Sequence, residues 1–272
     1  MLIELEGHSN LGAVLGLDGL GYEDTVVDQE RFGGTGRLRA RQISPDDALA
    51  DYLDRAGLGV VSRRLITAGA MEVVTTAAPG IRDLLSLGKI RQLEQAEAAD
   101  LIVVDAPAAG HALTFLNAAA GLADSSSAGP VREQADLVLE MFADDDRCQV
   151  VLVTLAEETP VSETVETAFS LEERVGLKLG PVVVNGLWPD IDGLAEAADA
   201  IKSRRSGGVL AARRAAEHRI DRVTAQRVEV DRLAAELPLA QIHLPFLFGQ
   251  GMGPDELCEL ATVLADGPVG GG

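Results

Sequence analysis

Aromatic residues make up only 3% of this 272-residue chain. A core with so few rings must be filled by Leu, Val, Ile and Ala, the palette of parallel strands covered by helices on both faces. Cysteine is scarce too. Cys148 and Cys258 form no C-x-x-C pair for a zinc site and are expected as small hydrophobes in a reducing cytoplasm. Positive charge is in deficit, with 23 Lys and Arg against 43 Asp and Glu and a net charge of −20. That balance excludes the basic footprint of a nucleic-acid binder and charge-driven docking on anionic lipid. The longest nearly apolar run, Leu101 to Ala123, is broken by Asp105, His111 and Asn117, so no integral membrane segment is expected. Met1-Leu2-Ile3-Glu4 lacks the basic lead and apolar run of a signal peptide. No strand is followed by the G-x-G-x-x-G of a dinucleotide site. Gly7-His8-Ser9 fails as a nucleophile elbow because Leu11 stands where glycine is needed.

The length is sufficient for a sizeable core. Leu2–Glu6 reads as a strand, residues 10–17 as helix, Gly33-Gly34-Thr35-Gly36 as a turn and residues 37–43 as strand. Ser44-Pro45-Asp46-Asp47 marks a helix start, with a capping serine, a first-turn proline and two acids at the positive end of the dipole. Further helix is expected over 58–68 and 79–98. Beyond residue 100 the pattern alternates: strand 101–105, helix 111–120, a serine-rich loop at 124–130, helix 131–143, strand 149–155, helix 160–175, strand 181–185, helices at 190–202 and 208–237, strand 240–244 and helix 254–265. Such alternation predicts an α/β fold with a mostly parallel sheet flanked by helices. Ligands of such sheets bind at the carboxyl ends of the strands. The helix over 208–237 carries six arginines among acids, Arg213, Arg214, Arg219, Arg222, Arg227 and Arg232. It reads as a solvated mixed-charge face or, alternatively, as a partner surface.

Two acids end predicted strands. Asp105 closes Leu101-Ile102-Val103-Val104 and is followed by Ala106-Pro107-Ala108-Ala109-Gly110-His111. A carboxylate ending an apolar strand suits a water-bridged Mg²⁺, and the small residues let backbone approach a phosphate. Asp105 could equally cap the helix that follows. Glu6 ends the first strand, where a carboxylate can orient a water beside a terminal phosphate or can simply be an exposed strand end.

In that order and spacing the chain resembles the ArsA-type ATPases, the arsenical-pump and tail-anchored-protein-targeting group. The Asp105–His111 segment is similar to their switch II, and Glu6 to Leu11 to their switch I. Val182-Val183-Val184-Asn185 resembles the strand whose Asn reads adenine, and Leu244-Pro245-Phe246-Leu247 the segment walling the base. Thr154 to Thr164, with Glu157, Pro160 and Glu163, and Ala78-Pro79-Gly80 before a helix also follow the family pattern.

The resemblance implies a P-loop-NTPase-like domain over 1–267 with a helical insertion at about 44–98 and a disordered tail at 268–272. It further implies ATP and Mg²⁺ as cofactors and a homo- or heterodimer with a related ATPase. The work implied is anion transport or membrane-protein targeting. By the same resemblance Glu6 takes the water-activating position, Asp105 holds the Mg²⁺ shell, and Ala109, Gly110 and His111 sense the γ-phosphate. Asn185 binds the adenine amine with Pro245 beside the ring. The chain departs from the family in having Glu6 for Asp, Gly7-His8 for Pro-Ala, and alanines at 106, 109 and 112 for threonines. It also contains no G-x-x-x-x-G-K-[ST]: Gly33-Gly34-Thr35-Gly36-Arg37 is followed by Leu38. The expectation is an N-terminally truncated ATPase lacking its first strand and phosphate loop, inactive alone. The alternative is a non-catalytic subunit completed by an ATPase homologue.

Overall fold

A computed structural model describes residues 1–6, 11–28, 36–55, 57, 80–203, 206–249 and 251–267. The predicted helix over 58–68, the glycine turn at 33–35, Gly7, His8 and the 268–272 tail lie outside the described residues. The chain divides into two compact units: residues 1–149 with 170–178, and residues 150–169 with 179–272.

The first unit is built on β1 (Leu2–Leu5), β2 (Thr25–Val26), β3 (Arg39–Ile43) and β4 (Val103–Asp105), in the spatial order β2-β3-β1-β4. β1 runs parallel to both β3 and β4, and β2 is antiparallel to β3. Ile3 and Leu5 of β1 and Ala40 and Ile43 of β3 are buried. β1 therefore reads as the near-continuous apolar run of a strand covered on both faces, except at Glu4. Around the sheet lie α1 (Leu11–Val14), α2 (Pro45–Arg55), α3 (Ile81–Gln95), α4 (Ala109–Ser125) and α5 (Pro130–Phe142). Ser44 caps α2 as expected: its Oγ accepts the Asp47 N–H at 3.1 Å and donates to the Asp47 carboxylate at 2.5 Å. α3 starts from Gly80, whose φ of +85° is a left-handed conformation that glycine tolerates. A Cβ there would also stand 3.4 Å from that of Ala118 on α4.

One charged cluster fastens α2, α3 and the sheet. Lys89 on α3 is buried and bonds the Asp51 carboxylate of α2 at 2.5 Å. The Tyr22 hydroxyl donates to the same carboxylate at 3.4 Å, while the Lys89 ammonium and the Arg41 guanidinium lie 5.1 and 4.9 Å from the Tyr22 ring. Burial raises the Asp51 pKa, but the Lys89 hydrogen bond and charge outweigh it and leave the carboxyl below its usual 3.8. A carboxyl with a depressed folded value stabilises the protein above its unfolded pKa and loses that contribution as pH falls through the folded value. Asp51→Asn is therefore expected to cost about 2–3 kcal/mol at pH 7, because it strands a buried ammonium. The gap from wild type should narrow steadily below pH 3.8. Urea unfolding of both proteins from pH 7 to pH 2.5 checks this, and a gap constant with pH would contradict it.

The second unit holds the parallel trio β6 (Val153–Leu155), β8 (Val182–Leu187) and β9 (Gln241–Pro245), ordered β6-β8-β9. Its helices are α6 (Glu158–Ser170), α7 (Leu194–Ala200), α8 (Gly207–Glu236) and α9 (Pro254–Asp266). Val161, Val182, Val184 and Leu233 are fully buried there. The expected strand over 149–155 is in fact two, β5 (Gln149–Val150) and β6, because β5 pairs with β7 (Lys178–Leu179) while β6 pairs with β8. The expected helix over 160–175 is α6 followed by a π-turn at Leu171–Val175, closed by Gly176 in the left-handed region. In α9, Pro254 opens the first turn and Glu256 folds back to accept the Gly253 N–H at 2.9 Å.

The arginines of α8 are mostly turned to their own unit. Arg222 meets Glu157 at 2.6 Å, Arg227 meets Asp190 at 2.6 Å, and Arg219 donates to the Pro189 carbonyl at 2.6 Å. Arg232 pairs with Glu229 and reaches the Glu158 carbonyl. Among the described residues β4 and β6 are edge strands of their sheets, with exposed apolar side chains on or just before them. Leu101 and Val103 are 69% and 47% exposed at β4, and Val151 and Val153 are 47% and 64% exposed at β6. No helix among the described residues is long and apolar enough to cross a membrane.

Candidate functional site

β1 and β4 are parallel neighbours with Glu4 in register with Asp105, so the chain's exits from both strands open on one rim of one sheet. Glu6 follows β1 immediately. It is exposed at the rim, its N–H is held by the Ile43 carbonyl at 3.1 Å, and Arg82 in the first turn of α3 stands 4.0 Å from its carboxylate. Asp105 ends β4 and is exposed. It does not cap α4: that helix takes Ala108 as N-cap with no side-chain cap bond. The capping alternative for Asp105 is thus not realised.

α4 begins at Ala109, two residues earlier than expected. Ala109, Gly110 and His111 therefore form its first turn, with Gly110 and His111 exposed and no atom within 4 Å of a Cβ built on Gly110. Helix geometry leaves the first N–H groups of such a turn without intrahelical acceptors and places the positive end of the dipole there. Asp105 and this 17-residue helix are joined by only Ala106-Pro107-Ala108. The His111 and Ala112 N–H groups both donate to the Ala108 carbonyl at 2.9 Å, so Asp105 shares its rim with a turn whose Ala109 and Gly110 N–H groups are left for an anion.

Glu4 was hidden from sequence reasoning. It is a charged residue 5% exposed in the middle of an apolar strand, with Gln42 in register on one side and Asp105 on the other. Its carboxylate accepts the Leu11 N–H at 3.0 Å and the Gln42 Nε2 at 3.1 Å, which offsets the cost of burial. The only signal in the sequence was an acid with apolar neighbours on both sides.

The donor set fits Mg²⁺ in a particular way. Among the described residues no three His, Cys, Asp or Glu side chains gather into a cage. Mg²⁺ needs none, since it keeps several waters and takes one or two carboxylates with substrate phosphates as its remaining ligands. Asp105 is available for that role.

The second unit carries the other two predicted residues. Asn185 is exposed near the carboxyl end of β8, and Pro245 ends β9 in register with Leu187. They lie on adjacent parallel strands, beside the ring cluster of Trp188, Phe246 and Phe248. That cluster uses three of the chain's nine aromatic residues.

No family model matches the chain. It is similar to proteins named as ATPases. It is 33% identical over 192 residues to ATPase BagA of Mycobacterium tuberculosis, an alignment covering 68% of this chain and 55% of the relative. Against ATPase GET3B of Arabidopsis thaliana it is 25% identical over 185 residues, 55% of this chain and 45% of that protein. A "Putative arsenical pump-driving ATPase" of Halobacterium salinarum shares 26% over 187 residues, 62% of this chain and 29% of the relative. The chain thus spans about half the length, or less, of the curated relatives it matches. The names agree with the ArsA-type resemblance in its coarse form, an ATPase-related protein.

Proposed function

We propose that the first unit carries the switch segments of an ArsA-type ATPase, and that the second carries a base-reading segment, with ATP hydrolysed once a phosphate-gripping loop is supplied from outside these residues. The observation that carries this reading is the shared rim of β1 and β4, where Glu6, Asp105 and the first turn of α4 follow the strand ends. Asp105 would hold the water shell of Mg²⁺, which supplies charge neutralisation at the phosphates when bound. Ala109, Gly110 and His111 face the terminal phosphate, and Glu6 orients the attacking water, with Arg82 holding its carboxylate in place. Asn185 and Pro245 take the adenine. The relatives' names support the nucleotide chemistry, and the exposed apolar side chains at the edge strand β4 support completion of the first unit's sheet by a further strand. That completing strand belongs to this polypeptide or to a related ATPase acting as dimer partner. The client, an anion or a membrane-protein tail, follows the family resemblance.

The test is turnover by mixing. Residues 1–272 are combined with a polypeptide bearing a Gly-rich, Lys-containing loop from an ArsA-type relative, and phosphate release is followed with Mg²⁺ and ATP. Activity present only in the mixture, and lost with Glu6→Gln, is the expected result. A mixture no faster than the loop-bearing polypeptide alone would count against the reading.

A further inference from the structure

β8 does not end as a regular strand. Its pairing with β9 shifts register between Val184 and Leu187, and Gly186 sits at φ +70°. An irregularity of this kind re-aims the neighbouring side chain, and here the neighbour is Asn185. The irregular segment is gripped from two sides. On one, the Phe246 N–H donates to the Leu187 carbonyl at 2.8 Å. On the other, Gln226 of α8 reaches across: its Oε1 accepts the Trp188 N–H at 2.9 Å, and its Nε2 donates to the Gly186 carbonyl at 3.1 Å. Gln226 is 4% exposed, on a helix whose other polar residues mostly face outward.

A carboxamide is costly to bury unless both ends are bonded. Both of these bonds go to the backbone of one turn, leaving the amide no role in helix packing that an apolar residue could not fill. With that turn fixed, the Trp188 ring stands 5.1 Å from Phe248 and 5.8 Å from Phe246, and the Arg219 guanidinium lies 5.7 Å from the Trp188 ring and 5.0 Å from that of Phe248.

We infer that Gln226 is a positioning residue: it clamps the turn Gly186–Trp188 so that the Asn185 amide is presented in one orientation to an aromatic base. The inference rests on the reading of Asn185 given above. Gln226 itself does not touch the ligand.

Adenosine is the probe, because it carries no phosphate and so does not depend on a phosphate loop. Trp188 is the only tryptophan in the chain, so its emission reports the turn directly. In the wild type, adenosine should shift the Asn185 side-chain amide resonances. Gln226→Leu should change Trp188 emission and speed exchange of the Gly186, Leu187 and Trp188 amides by at least about tenfold. It should weaken the adenosine response by a similar factor, since small misplacements of a reading group carry large effects. Gln226→Glu keeps the acceptor for the Trp188 N–H but offers no donor to the Gly186 carbonyl, and should fall between. Leu233→Ala, a cavity in the same helix away from the turn, lowers stability and should keep the adenosine response.

Wild-type exchange and emission in Gln226→Leu would overturn the clamp. An adenosine response that falls equally in Leu233→Ala would reduce Gln226 to a structural residue. A wild type that ignores adenosine would instead remove the base-reading assignment of Asn185, and with it the ligand side of the inference, even where the exchange data uphold the clamp.

Discussion

Residues 1–272 by themselves are expected to bind Mg·ATP only at millimolar concentration or weaker, and to hydrolyse none of it. A phosphate loop gives the β- and γ-phosphates several backbone N–H donors and a lysine. Each charge-assisted hydrogen bond is worth roughly 1.5–3 kcal/mol, so the loss of three or four removes on the order of 5–10 kcal/mol. A micromolar site has about 8 kcal/mol in all, and little would survive. Lysine is scarce in the chain, which contains three: Lys89 is buried against Asp51, and Lys178 and Lys202 form exposed pairs with Asp145 at 3.8 Å and Asp199 at 3.4 Å. What remains at the rim is the first turn of α4, whose dipole favours an anion by about 1 kcal/mol or less at an exposed site. Isothermal calorimetry with Mg·ATP measures this directly. Low-micromolar affinity would show that the donors come from residues 1–272 after all.

Asp105→Asn is expected to reduce turnover by on the order of 100-fold in the mixture that hydrolyses ATP, the usual range for an outer-shell metal partner. Higher Mg²⁺ should recover part of the loss. The substitution keeps shape and removes charge, and the structure gives it little else to disturb, since Asp105 is exposed and α4 is not capped by it. Thermal unfolding should therefore move little, as for most surface substitutions. That contrast separates a metal role from a structural one. Activity unchanged at every Mg²⁺ concentration would remove Asp105 from the site.

The legible parts of the fold were those whose cause is local. The Ser44-Pro45-Asp46-Asp47 start of α2 follows from capping chemistry alone, and the apolar run ending at Asn185 follows from parallel-strand burial, whereas the run ending at Asp105 lies on an edge strand with Leu101 and Val103 exposed. Asp105 was singled out because an acid at the end of an apolar run is conspicuous. The parts that were not legible depend on partners distant in sequence. Residues 149–155 split into two strands because successive halves pair with different neighbours, and nothing within those seven letters says so. β2 is two residues long and paired antiparallel to β3, too short to show a period. Glu4 resembles any strand acid until the register sets it beside Gln42 and Asp105. Gln226 stands among arginines and glutamates in a helix with an outwardly solvated pattern, and its two bonds go to residues 38 and 40 positions away.

The open edges of β4 and β6 have a consequence for handling the molecule. Parallel edges with unblocked valines, and without a lysine or proline among Val103–Asp105 or Val153–Leu155 to deter docking, are adhesive to any extended polypeptide. The net charge of −20 opposes that adhesion at low ionic strength and is screened when salt is added. Purified material is thus expected to disperse best in dilute buffer and to cluster as sodium chloride rises, the reverse of a protein held together by surface ion pairs.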